Sequence, residues 1–477
     1  MRGLSIRIES KETKDRIPQI GIQEKPAKGR VYKHRASPHS YLSFILIGTF
    51  FTGLFLHLQL DTLAVLVFAA TWIATPLFIL SDRYVFDGLS LSRRGLVPRA
   101  WAQITGSPTS IALEDIELIE TQALRAIRRG GDVYYRYRTL VLGSDLRFTL
   151  VSGSESYRSL TNALFKAVPE DILDNRSVEL RDYLRDPKEI QTKVRFAKIP
   201  SASVLEPSIG LKKSASTAST SRKELSIDAD EMAERTEYLR QLANELRVAG
   251  FLVQSIEVFR RALRLSPQDS WLLFEFARCL HSYAGAEKSE RLERRAMAAL
   301  RLAERRAGDD EKLLSRLGES YFQYGDWASA RRAFERTIEF AGDSYRSVRG
   351  MAELALREGK IAHVIHHFST AHRMAEIPAL RRWTDSEAAY FARLNSDEDY
   401  MDMEVSRVNL LDSLERSKKT ALRIVVLGLP LIVSGLLMDS PVFQNIGWAV
   451  SCVALIVWTG IVVSRHMFSS RLPIETE

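Results

Sequence analysis

Hydrophobic positions gather in two regions near the ends of this chain and thin out between residues 82 and 420. Residues 41–60 and 62–81 form two nearly charge-free runs of about 20 residues each, the length a helix needs to cross roughly 30 Å of hydrocarbon. Only Leu58 to Asp61 is left for a turn, so a helical hairpin is predicted. Residues 421–438 and 446–464 repeat the pattern, broken at Asp439, Ser440 and Pro441, with Arg423 snorkelling at the start of the third run. The first run comes after a polar and basic stretch, 1–40, expected to be a disordered tail resting on anionic lipid. It therefore lies too far along for an ordinary cleaved signal peptide and is expected to be retained.

From 82 to 169 the pattern changes to strand-like runs. The runs RYVFD, LSLSRRG, TSIALEDIELIETQ, DVYYRYRTLVLG and DLRFTLVS are rich in β-branched and aromatic residues and separated by Gly, Asp or Ser, which predicts a small antiparallel sheet. Residues 155–168 return to a helical period, with Ser154 as N-cap and Tyr157, Leu160, Leu164 and Phe165 on one stripe suited to close the sheet's open end. Segment 170–229 is read as a linker, charged and partly helical over 170–200 and then rich in Ser, Thr and Ala. Its part 201–221 reads as a flexible linker that frees residues 230–395 to move against the β region.

Residues 230–395 carry a repeat. The unit 236–269 places Leu242, Ala243 and Leu246 before Gly250, then Ile256, Phe259, Ala262 and Leu263, and closes at Pro267. The unit 311–344 puts Leu317, Gly318 and Tyr321 before the turn YGDW, then Ala330, Phe334 and Ile338. Between them, 270–310 is longer, with a charged insertion near 286–291 expected to lengthen its turn or second helix. A fourth unit spans 345–378 through Met351, Ala352, Ala355, Gly359, Phe368 and Ala371, and 379–395 reads as a capping helix. The 34-residue spacing and the small residues at Gly318 and Ala330, where paired helices must approach closely, resemble tetratricopeptide (TPR) repeats. The resemblance implies a multidomain membrane protein whose α-solenoid lies between two transmembrane hairpins, with residues 396–420 as a connecting helix before the hairpin 421–464 and a short tail, 465–477.

In TPR arrays, fixed positions of each first helix line a concave groove that binds peptides. Carried over, these are Arg240, Asn244 and Arg247; Trp271, Phe274, Arg278 and His281; Ser315, Glu319 and Phe322; and Arg349, Glu353 and Arg357. Arginine forks suit carboxylates and aromatic faces supply anchors, so the expected ligand is an acidic or C-terminal peptide of a protein partner, the alternative being a merely solvated Arg-rich surface. The stretch DRYVFDGLSLSRRG leading to IALEDIELIE resembles bacterial pleckstrin-homology-like (PH-like) domains that come after a two-span hairpin. This resemblance implies a membrane-proximal binding or assembly module. Arg93, Arg94 and Arg99 stand where relatives of the fold contact anionic headgroups, although topological bias alone would account for them.

Charge gives the orientation. Lys25, Lys28, Arg30, Lys33 and Arg35 precede the first run, Arg83, Arg93, Arg94 and Arg99 come after the second, and Arg416, Lys418, Lys419 and Arg423 lead into the third, whereas both turns lack Lys and Arg. The positive-inside rule then puts the N-terminus, the middle and the C-terminus in the cytoplasm, with a bacterial inner membrane as the expected site. The two cysteines, Cys279 and Cys452, are too few for a disulfide framework or a cysteine-rich zinc site. No phosphate-binding glycine loop, nucleophile elbow, zinc-protease or kinase signature is present, and the spans hold no central Asp, Glu or Lys. The His363, His366, His367 and His372 run reads as a helix surface without a completing ligand motif. No cofactor, metal, nucleic acid or catalytic residue is expected. Two functions are consistent with this pattern: a non-catalytic scaffold that captures a protein in its groove, or an accessory subunit of a membrane enzyme, transporter or envelope-assembly complex, held through its spans and β domain.

Overall fold

The computed structural model describes residues 31–106, 108–129, 132–143, 146–205, 229–342 and 344–468. The stretch 1–30, most of the Ser-rich segment (206–228) and residues 469–477 lie outside the described residues, and the expectations for them fall there.

The β region begins earlier in the chain than its sequence suggests. Strand β1 (Tyr32–Arg35) pairs antiparallel with β2 (Arg83–Phe86), Tyr32 opposite Phe86 and Arg35 opposite Arg83, which corrects the reading of 1–40 as tail. The cause is burial of alternate side chains. His34 turns inward, its ring edge-on to Tyr157 at 5.8 Å and its Nδ1 3.1 Å from Ser156 Oγ, while Lys33 and Arg35 stay exposed. β3 (Ser90–Arg94) and β4 (Ser110–Ala112) complete a sheet of order β1-β2-β3-β4; β5 (Ile116–Arg129), β6 (Asp132–Gly143) and β7 (Arg147–Val151) form a second antiparallel sheet.

Two apolar helices, α1 (His39–His57) and α2 (Asp61–Ser81, with a π turn at Ala70–Ala74), run between β1 and β2. Helix α3 (Leu96–Thr105) separates β3 from β4, and α4 (Glu155–Ala167) comes after β7. The stripe Tyr157, Leu160, Leu164 and Phe165 of α4 is buried with Phe86, Leu91, Ile116, Val141, Phe148 and Leu150 from both sheets. Ser154 makes no cap hydrogen bond. Its hydroxyl bonds Ser156 Oγ at 2.7 Å instead, and Ser156 also faces His34.

The charged stretch expected to open a linker is folded. Helices α5 (Asn175–Tyr183) and α6 (Pro187–Phe196) are capped by Asp174 and Asp186, whose carboxylates accept backbone N–H bonds from the first turn. After residue 228 successive helices pack in pairs: α7 (Ala229–Ala249) with α8 (Leu252–Leu265), α9 (Ser270–Glu287) with α10 (Glu290–Arg306), α11 (Glu311–Tyr324) with α12 (Trp327–Ala341), α13 (Tyr345–Arg357) with α14 (Ile361–Met374), and then α15 (Pro378–Ser396). Asp269, Asp310 and Asp326 cap α9, α11 and α12. The insertion near 286–291 lengthens α9 to 18 residues and α10 to 17, whereas the turn between them stays short, with Lys288 in a left-handed conformation.

The array is not free of the β region, contrary to expectation. Val248, Tyr345, Val348, Ala371 and Leu380 share one core with the sheets and α4. Val133 N–H donates to Gly250 O at 3.0 Å, and Tyr137 Oη donates to Val248 O. Gly250 has φ +95°, and a Cβ there would lie 1.9 Å from Val133 O, so only glycine fits this crossing.

Among the described residues, three helices are long and apolar enough to cross a membrane: α2, α16 (Glu398–Leu437) and a third over Pro441–Arg465 within α17 (Pro441–Met467). Tyr41–His57 of α1 is apolar but shorter. The expected connecting helix 396–420 and the third run are one continuous α16. Gly428 lets α17 approach closely, since a Cβ there would meet Ser451 Oγ at 2.0 Å. The two apolar pairs touch, with Phe50 and Trp448 at 5.0 Å between ring centroids and His57 Nε2 2.8 Å from Asn445 Oδ1.

Candidate functional site

The residues carried over from the repeat pattern lie on α7, α9, α11 and α13, and four of these helices' arginines meet carboxylates or carbonyls on the segment 170–183. Leu173 forms a parallel bridge with Ile119 on β5, and Asp174 N–H donates to Ile119 O at 3.1 Å. The Asp174 carboxylate then caps α5 and accepts from Thr121 N–H at 3.1 Å. Beneath it a buried hydroxyl chain links Ser177 to Thr121 (2.8 Å), Thr121 to Thr139 (3.0 Å) and Thr139 to Tyr157 (2.8 Å). With Ile172, Val178 and Leu180 buried on the shared core, α5 presents Glu179 to the array.

Glu179 sits between Arg247 Nη1 at 2.9 Å and Arg278 Nη1 at 2.5 Å, with all three side chains nearly closed to solvent. Burial opposes the Glu179 charge, but the two guanidiniums outweigh it and hold the carboxyl well below its usual range. A second buried carboxylate, Glu275, takes two hydrogen bonds from Arg240 (2.7 and 2.8 Å) and one from Asn244 (2.8 Å), while Tyr183 Oη reaches it at 3.4 Å. At the rim Glu170 pairs with Arg316 (2.7 Å) and Arg181 (3.2 Å). Burial again opposes ionisation, and the two arginines prevail, bringing its pKa to about 2. Arg346 donates to the Glu170 and Leu173 carbonyls at 3.2 and 3.5 Å.

The remaining carried-over residues divide into two sets. Phe274 and Ser315 are buried in the array, and the His281 ring stacks on Tyr324 at 3.6 Å. Trp271 is half-buried, donates from Nε1 to Asp310 at 2.7 Å, and lies between the guanidiniums of Arg240 (5.9 Å) and Arg316 (5.7 Å). Arg349 pairs with Glu353 on its own helix at 3.0 Å and covers Trp383 at 5.1 Å. Glu319 meets Arg346 at 3.3 Å, and Phe322 lines a cavity shared with Arg349 and Glu353. Arg357 is exposed and packs over Trp327 of α12 at 4.6 Å, away from α5.

Two spaces flank α5. One, of about 330 Å³, is an open cleft lined by Arg181, Arg240, Trp271, Phe274, Lys312 and Arg316 together with Glu170, Glu179, Asp182 and Glu275. The other, of about 110 Å³, lies between the 171–175 turn and α11–α13. Asn175 Nδ2 and Tyr345 Oη are buried on it without a hydrogen-bond partner among the described residues.

The arginines considered for lipid contact separate as well. Arg93 makes a two-pronged contact to the buried Asp82 carboxylate, Nε at 3.0 Å and Nη2 at 2.6 Å, and Tyr41 Oη donates to the same carboxylate at 2.8 Å. Arg93 is therefore a tie at the root of the apolar pair rather than a free headgroup contact, whereas Arg94 and Arg99 are exposed. Among the described residues no group of three or more His, Cys, Asp or Glu could hold a metal ion, the histidines of α14 included.

Sequence reasoning passed over Glu170, Glu179, Glu275, Arg316 and Arg346. The signal for the first two was present: Asp174 stands three residues before Ser177 as a cap, and Ile172, Leu173, Val178 and Leu180 supply an apolar side to a segment otherwise read by its charge. Compared with family models and with curated proteins, the chain matches none of them.

Proposed function

We propose that this protein is a non-catalytic membrane scaffold whose TPR-like array, braced by a PH-like β domain, receives an acidic segment of a protein partner on the cytoplasmic face of a bacterial inner membrane. The observation that carries the reading is the cleft beside α5. It joins Trp271, flanked by two guanidiniums, to the exposed Lys312 and the half-buried Arg316, a surface that offers charge-assisted bonds to carboxylates and an aromatic anchor.

Parity supports four crossings. β1 and β2 pair residue for residue, so both lie on one side of the bilayer, and the segment between them crosses an even number of times. If α2 crosses, α1 crosses too, despite its shorter apolar run. The second pair closes in the same way, because Arg407 near the start of α16 donates to Phe468 O, beyond α17, at 3.1 Å. The arginines at these roots favour the cytoplasmic side.

The accessory-subunit reading has its own support. α5 already fills the centre of the groove, which leaves the spans and the β domain as the larger free surfaces. Affinity purification from mild detergent, comparing the native chain with Trp271→Ala and Lys312→Glu variants of matching circular dichroism, separates the two. Loss of a co-purifying protein with both variants supports the cleft. Retention of the same protein refutes the cleft and favours recruitment through the membrane helices.

A further inference from the structure

We propose that α3 is an in-plane membrane anchor, lying in the interfacial layer of the bilayer with its apolar side among the lipid acyl chains. The inference rests on the reading of α2 as a span and adds a second contact surface to it.

The argument begins with where α3 leaves the sheet. β3 runs antiparallel to β2, so its last residue, Arg94, stands opposite Arg83, the residue next after Asp82 at the root of α2. Leu96 N–H then donates to Ser81 Oγ in the last turn of α2 at 3.3 Å, and a Cβ on Gly95 would meet the Asp82 Cα at 3.0 Å. The chain returns at once: Arg93 N–H donates to Thr109 O at 2.8 Å, just before β4. Residues 95–108 are thus an excursion from the membrane end of the sheet, beginning at the height where the apolar run of α2 stops. Leu89, at the opposite end of the β2–β3 hairpin, marks the side away from the bilayer.

The sequence of the excursion, LVPRAWAQIT, is two-sided. At 100° per residue Leu96, Val97, Ala100, Trp101 and Ile104 fall in phase, and Pro98, Arg99, Gln103 and Thr105 fall on the other side. Leu96 and Val97 are 55% and 38% exposed, so none of the described residues covers the start of the apolar side. An uncovered apolar side on a helix tied to a span's last turn, with Arg83, Arg94 and Arg99 exposed around the same root, matches the composition of helices that lie in the headgroup and acyl boundary, where tryptophan is also favoured. Continuity with the span selects lipid as the occupant over a protein.

The test uses the full chain with Cys279 and Cys452 replaced by alanine and a single nitroxide-labelled cysteine, reconstituted in vesicles of phosphatidylethanolamine and phosphatidylglycerol. Collisions of the label with oxygen and with a nickel chelate report its depth. Labels at Leu77→Cys in α2 and Leu89→Cys on the far hairpin give the lipid and water references. A label at Val97→Cys that favours oxygen severalfold over the chelate, while one at Arg99→Cys does not, bears the proposal out. Equal chelate access at 97, 99 and 89 overturns it, with the span intact if 77 still reads lipid. A label at 97 closed to both reagents means a protein or a second copy covers the helix and also overturns it. Chelate access at 77 removes the span reading and this inference together.

Discussion

The two halves of the groove hold the same segment by different means. Around α7 and α9, Glu179 and Glu275 are buried against Arg247, Arg278 and Arg240, and those contacts are close and mutually satisfied. Around α11 and α13 the segment is held at its exposed rim and by its backbone, Arg316 meeting Glu170 and Arg346 the Glu170 and Leu173 carbonyls, while Arg349 turns to its own helix. A polar cavity lined by Asn175, Tyr345, Arg349 and Glu353 is left between. The first half specifies where α5 sits, because a buried charge tolerates only a geometry that returns its lost hydration. The second half tolerates looser fit, because carbonyl contacts and a polar cavity that can take up water cost little to rearrange.

The largest expected effect breaks the first half. Glu179→Ala leaves two arginines buried without their carboxylate and should cost about 3–5 kcal/mol, seen as a lowered midpoint of denaturant unfolding in detergent. Glu179→Gln, which keeps an acceptor, should lose less. Next comes Gly250→Ala, which combines a left-handed backbone with the contact to Val133 O. A loss above about 1 kcal/mol is expected, with faster hydrogen exchange at Val133. An intact Val133 amide would show that the hairpin and the array are held elsewhere.

Acid sharpens the comparison without mutation. Glu170 and Glu179 titrate lower in the folded protein than in an unfolded chain, so their contribution is complete above the ordinary glutamate range and disappears as the pH falls from about 4.5 towards about 2. Asp171 and Asp174 are raised by burial and act in the opposite sense, gaining on acidification. Loosening should therefore appear first as exchange of the α5 amides and of the neighbours of Arg247 and Arg316, and the α13 contacts of Arg346 and Arg349 should lag. Simultaneous loss of both halves would contradict the distinction. Arg349→Ala removes one same-helix pair and the contact with Trp383, an effect of about 1 kcal/mol by thermal unfolding. Smallest is Tyr345→Phe, which deletes a buried hydroxyl facing the cavity beside Arg349 and should lie within about 0.5 kcal/mol of the native chain.

These contrasts explain what could be read from the residues. The helices α7 to α15 were legible because long 3.6-period segments with Asp caps and Gly turns leave few alternatives. β6 and β7 were legible because both are rich in β-branched and aromatic residues, and Phe148 and Leu150 alternate with Arg147 and Thr149. β1 was not legible: four residues with basic Lys33 and Arg35 outward resemble a tail unless Tyr84 and Phe86 opposite them are already known to need an edge partner. α5 was hidden by its own charge, since Glu179 reads as solvated until Arg247 and Arg278 are brought to it from a distance in sequence. The chemistry anticipated for a groove ligand, carboxylates against arginine forks, is what Glu170 and Glu179 supply from within the chain. Periodicity located the positions, but it carries no information on which segment returns to cover them.

The pairing of β1 with β2 also has a consequence in time. During synthesis β1 emerges before α1 and α2, and its partner emerges only after both, so, if these helices cross the bilayer as proposed, the sheet cannot close until they have been threaded through it and back. A molecule in which only one of them inserts would strand β1 and β2 in different compartments, with the β2 edge open and His34 and Asp82 deprived of their neighbours. On that reading, closure of this one strand pair works as a checkpoint on insertion, recorded in the β region.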